Sequence, residues 1–94
     1  PTYTMGDRKM KVTFGIMPDF SGVEKRGLRV DLVIEGKAAD KGGMKTGDII
    51  IAIDGLPVND IYGYMDRLTK LSTGQIITVE VIRENENKVL LIQL

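Results

Sequence analysis

Residues 36–58, GKAADKGGMKTGDIIIAIDGLPV, decide how this chain folds. Ala38 and Ala39, set among charged residues, support about one helical turn, and Gly42 and Gly43 stop it. The stretch IIIAID (49–54) is too short for a helix and rich in β-branched residues, so it reads as a buried strand. Asp54 and Gly55 follow, a pair that favours tight hairpin turns.

The flanks extend this pattern. Upstream, Leu28, Val30 and Leu32 alternate with Arg29 and Asp31 in LRVDLVIEG (28–36), the period of a strand with one wet face. Two glycines and mixed charge in FSGVEKRG (20–27) suit an exposed turn before it. Earlier still, MKVTFGIMPD (10–19) is an apolar run broken near Gly15, resuming through Met17 and limited by Pro18, which cannot donate to a central ladder. A glycine inside such a run marks a bulge, a bend or a close approach of another backbone. If that backbone belongs to a ligand, Gly15 lies in a binding site.

Downstream, Asn59 or Asp60 is positioned as an N-cap. In IYGYMDRLTKL (61–71), Ile61, Tyr64, Met65, Leu68 and Leu71 recur at helical spacing, giving about three turns. Gly63 costs this helix roughly 1 kcal/mol relative to alanine. After the STG break, QIITVEVIR (75–83), the polar turn ENEN (84–87) and KVLLIQL (88–94) form a two-stranded hairpin.

The sum is an α+β domain: a five- to six-stranded antiparallel sheet curled into a small barrel or sandwich, capped by one short and one longer helix. Expected core residues are Val30, Leu32, Ile49, Ile51, Ile53, Val79, Val81, Leu90 and Ile92, joined by Leu68 and Leu71. The 94 residues fit one such domain. Residues 10–94 are taken as the folded unit and 1–9 as an entering arm or linker.

Composition removes several functions. Thirteen basic residues balance thirteen acidic ones without a block of either sign, which argues against nucleic acid and anionic membrane partners. Cysteine and histidine are both absent. Serine-histidine triads, thiolate nucleophiles and zinc sites built on His or Cys are therefore excluded. No stretch offers the spaced oxygen ligands of a calcium loop, and Asp48 and Asp54 each adjoin a turn rather than a partner acid. The expectation is a domain with no catalytic residue, metal or cofactor of its own. No apolar run approaches the roughly 18 residues that span a bilayer, and residues 1–11 lack the apolar centre of a signal peptide. The start at Pro1 fits a domain excised from a longer chain.

TFGIMPD (13–19), GLRVDLVIEGKAADKGGMKTGDIIIAIDGLPV (27–58), whose most telling part is the 36–58 block, and DIYGYMDRLTKLSTGQIITVEVIREN (60–85) together resemble a bacterial PDZ domain over nearly the whole chain. The sequence is most similar to the PDZ modules appended to bacterial envelope proteases, and GIMPDF (15–20) resembles those attached to zinc aminopeptidases. The resemblance implies a peptide groove between a strand and the longer helix, closed by a loop whose amides receive a terminal carboxylate. That loop corresponds to Thr13, Phe14, Gly15 and Ile16, with Lys11 or Arg8 assisting at longer range. Met17 and Pro18 continue as the groove strand, and Pro18 shortens the pairing. Ile61, Met65 and Leu68, at i, i+4 and i+7, line the helix side with Phe14 and Ile16. Isoleucine at the helix start cannot accept a hydrogen bond, so the implied ligand is apolar two residues before its terminus. The implied partner is an apolar peptide or protein C-terminus, or an unfolded segment, bound by strand addition for a larger protease of the periplasm or cell envelope. The alternative is a regulatory domain packed on its own catalytic domain, without a free peptide ligand.

Overall fold

The computed structural model describes residues 14–94. In chain order they form β1 (Ile16–Pro18), β2 (Leu28–Val33), α1 (Ala38–Lys41), β3 (Ile49–Ile53), β4 (Leu56–Pro57), α2 (Ile61–Thr69), β5 (Ile76–Arg83) and β6 (Glu86–Gln93). All strand pairs are antiparallel, in the order β1-β2-β3-β5-β6, with β4 paired to β3. This is the expected α+β architecture with one short and one longer helix. The sheet is open: β1 and β6 end the path and do not close it into a barrel.

Two tight turns set the registers. Asp54 and Gly55 both have positive φ (53° and 81°), the hand that matches strand twist, and Ile53 then faces Leu56. Glu84 and Asn85 do the same (52° and 65°), with Arg83 facing Glu86. The second turn is therefore two residues long, and Glu86 and Asn87 belong to β6 rather than to the polar turn expected over 84–87. Polar composition marked the neighbourhood of the reversal, while twist selected the two-residue loop.

Strict alternation misplaces part of the core, and irregular pairing explains where. Between β3 and β5 the register runs Ile50 with Val81, then Ala52 with Glu80, leaving Ile51 as an extra residue. One inserted residue reverses the inward face, so Ile50 is fully buried and Ile51 only half-buried. Between β1 and β2, Met17 faces Leu32 and Pro18 faces Val30, with Asp31 skipped. Leu32 consequently turns outward at 48% exposure, while Val33 packs on the core. Leu90 is partly buried, whereas the remaining expected core residues are buried as the spacing implied.

A buried ion pair joins the loop before β3 to the end of β5. Asp48 is 1% exposed. It accepts from Arg83 Nε at 2.8 Å and a terminal guanidinium nitrogen at 2.7 Å, and from Lys45 N–H at 2.9 Å. The same guanidinium nitrogen donates to Gly43 O at 2.9 Å. Both Asp48 oxygens are thus satisfied, as burial of a carboxylate requires.

Candidate functional site

β1 lies at one end of the sheet, and the hydrogen bonds around it show which backbone groups it leaves open. Ile34 N–H donates to Gly15 O, and Asp19 N–H donates to Arg29 O, both at 2.9 Å. Residues 15 and 19 therefore face β2. By the two-residue alternation of a strand, Ile16 and Pro18 turn their backbone groups to the outer edge. Ile16 presents both N–H and C=O there, while Pro18 presents only its C=O.

The loop leading into β1 is tied down from below. Phe14 O accepts from Ala39 N–H at 2.9 Å, which anchors the loop to α1. The Phe14 side chain is fully buried and meets the Tyr64 ring edge-on, with centroids 5.7 Å apart and planes at 86°. Phe14 is therefore a core residue beneath the loop. Burial pushes the Tyr64 phenol well above its ordinary pKa of 10.0.

Gly15 has φ +77°, and an added Cβ would fall onto the Lys37 side chain. The close approach that glycine permits is thus made by Lys37 of the same chain, where the sequence had suggested the backbone of a ligand. Thr13, together with Lys11 and Arg8, lies outside the described residues.

On the opposite wall, Asp60 caps α2 by accepting from Gly63 N–H at 2.9 Å. Ile61, Met65 and Leu68 share a side of α2, but burial is graded along it. Met65 is exposed, Ile61 is partly buried against the core, and Leu68 is 2% exposed. Leu68 is a core residue, so Leu68→Lys would place an ammonium among buried apolar groups and unfold the domain. The side chains open to a ligand between strand and helix are Ile16, Ile61 and Met65, which are half-buried or exposed. Met17 projects from the other face of β1, where it faces Leu32.

The sequence reading missed a cleft at the far end of β1. About 360 Å³ in volume, it lies between the 19–29 segment and the first turn of α2. Phe20 and Tyr62 line it, while Tyr64 points inward. On its rim Arg26 holds Glu24 down to about pKa 2 through side-chain and backbone hydrogen bonds, and Ser21 N–H lowers the Asp19 pKa. Among the described residues no group of His, Cys, Asp or Glu is arranged to hold a metal ion.

An open edge strand headed by an anchored glycine loop, and a capped amphipathic helix, are the elements to which the family resemblance assigned a peptide groove. The PDZ domain family profile matches residues 11–94. The chain is a PDZ domain. It is 39% identical over 75 residues to the Do-like 14 protease homologue of Arabidopsis thaliana, covering 74% of this chain and 17% of that protein. It is 29% identical over 84 residues to a DegP-like periplasmic serine endoprotease of Bartonella henselae, covering 89% of the chain and 16% of the relative. An aminopeptidase N family protein from Idiomarina loihiensis superposes with a TM-score of 0.79 at 28% identity, over 89% of this chain and 14% of the other. The HtrA-type protease AlgW, solved with a decapeptide, gives a TM-score of 0.76 at 24% identity, covering 86% and 28%. The PDZ domain is thus of the protease-associated type, a non-catalytic module spanning about a sixth of the relatives' length.

Proposed function

We propose that this PDZ domain binds an extended peptide ending in an apolar residue, by strand addition at β1, in the service of a larger protease. The observation that carries this reading is the outer edge of β1, where Ile16 offers backbone groups, together with the half-buried Ile61 and the exposed Met65 on α2. A strand added there gains main-chain hydrogen bonds, and side-chain contacts with α2 select the sequence. The loop at Phe14, Gly15 and Ile16 is the proposed seat of the terminal carboxylate, held by backbone amides. AlgW with its decapeptide and an HtrA3 PDZ domain bound to the peptide FGRWV share this fold, which supports a peptide as the ligand class.

The proposed parent is an HtrA-like serine protease of the periplasm rather than a zinc aminopeptidase. That preference follows the names of the sequence relatives, and the aminopeptidase likeness rests on a structural neighbour. No helix among the described residues is long and apolar enough to cross a membrane.

Peptides with one apolar sequence and either a free or an amidated C-terminus, titrated calorimetrically into the 94-residue chain, test the carboxylate loop. The free acid is expected to bind about tenfold or more tightly, the scale of a charge-assisted hydrogen bond. Equal affinities would sink it.

A further inference from the structure

We propose that the cleft at the far end of β1 is an upstream subsite for an arginine side chain at the fourth or fifth residue from the ligand's C-terminal end; this rests on the strand-addition reading above. The position follows from strand geometry. β1 ends at Pro18 and Asp19 N–H still pairs with Arg29 O, so an extended chain from Ile16 to Phe20 advances about 13 Å, four residues at roughly 3.3 Å each. An antiparallel ligand whose last residue lies beside Ile16 therefore brings its fourth or fifth residue from the end to Phe20. The cleft, at about 360 Å³, is within the range of about 300–1,000 Å³ typical of ligand sites, ample for one long side chain.

The chemistry of the lining selects the occupant. Phe20 and Tyr62 are 74% and 77% exposed, and both line the cleft. Neither ring belongs to the core formed by the described residues. Asp19 and Asp60 stand beside them, each oriented by one backbone N–H, from Ser21 and Gly63 respectively. Glu24 is neutralised by Arg26, and Arg29, 3.7 Å from Asp31, is also close enough to Asp19 to stabilise its carboxylate. Lys25 and Arg29 are therefore the opposing charges, and Asp60 is the carboxylate that pairs with no basic side chain among the described residues. A guanidinium lies flat on an aromatic face and donates in its own plane to carboxylates, so it uses both kinds of lining group at once. An aromatic ligand residue would use only the rings, and an acidic one would face Asp19 and Asp60.

Four peptides with the same free apolar C-terminus and Arg, Phe, Ala or Glu at the fourth residue from the end, with a second set varied at the fifth, test the subsite on the 94-residue chain. In one of the sets the arginine peptide is expected to bind about fivefold or more tightly than the alanine peptide, the size of a cation–π contact reinforced by charge. The glutamate peptide should bind more weakly than alanine. Tyr62→Ala and Asp60→Asn, the latter retaining an N-cap acceptor, should each shrink the arginine preference to within about twofold, the level of a lost contact. Affinity for the alanine peptide should stay unchanged. Arginine and alanine peptides binding alike in both sets, a phenylalanine peptide matching arginine, or variants that keep the preference would each overturn the subsite while leaving the groove intact. Failure of all the peptides to bind would instead overturn the groove reading and the subsite with it.

Discussion

At Tyr64, one side chain links core packing to pH. Its phenol is buried beneath the glycine loop, and desolvation raises its pKa above 10.0. The fold therefore favours the neutral form. Its contribution is full below about pH 10 and is lost as the pH rises through and beyond that value. Tyr64→Phe cannot ionise and keeps the ring against Phe14, so its stability should fall less steeply than the parent's between pH 9 and pH 11. Urea unfolding at those two pH values checks this, and parallel losses in both proteins would remove Tyr64 as the cause. Gly15 shows the same reach of a single position. Its positive φ and the Lys37 stem beside it exclude a Cβ, so the residue is fixed by the fold whether or not a peptide binds.

Among the elements, β1 carries the proposed binding edge and is the least able to complete a ladder. Met17 and Asp19 face β2, leaving Ile16 and Pro18 to meet a ligand, and Pro18 brings no N–H. Pro18→Ala supplies that donor. It should tighten an extended peptide by about two- to tenfold, equivalent to one net hydrogen bond of roughly 0.5–1.5 kcal/mol. The same change should lower the stability of the unbound domain by about 0.4–1 kcal/mol, because the unfolded chain regains backbone freedom. Peptide titration and thermal unfolding of one sample separate the two effects. Unchanged affinity would mean that the ligand does not pair at residue 18. Most of the elements were legible from periodicity, glycine stops and the aspartate cap. The bulges opposite β5 and within β2 were not, because an inserted residue is a property of the pair of strands.

Over the whole molecule, the Asp48–Arg83 pair holds together segments 35 residues apart. It fixes the loop between α1 and β3 against β5, and α1 in turn anchors Phe14 and the loop into β1. Asp48→Asn keeps the shape but strands the Arg83 guanidinium. The expected loss is about 3 kcal/mol, the low end for breaking a buried pair because Arg83 retains partial exposure. Urea denaturation at neutral pH measures it; a loss below about 1 kcal/mol would place the pair among surface ion pairs.

The sequence by itself determined the α+β class, the element order, the helix cap and the PDZ resemblance, because glycine stops, β-branched runs and helical spacing are local signals. It also named the loop and helix on which the proposed peptide groove rests. Tertiary structure decided the rest. Leu68 went to the core and Met65 to the surface, although both lie on the apolar stripe, because neighbours on the sheet cover only part of that stripe. Lys37 came to rest on Gly15, and Phe20 and Tyr62 came to line one cleft. These residues lie on segments distant in the chain, and only their docking around a shared core brings them together.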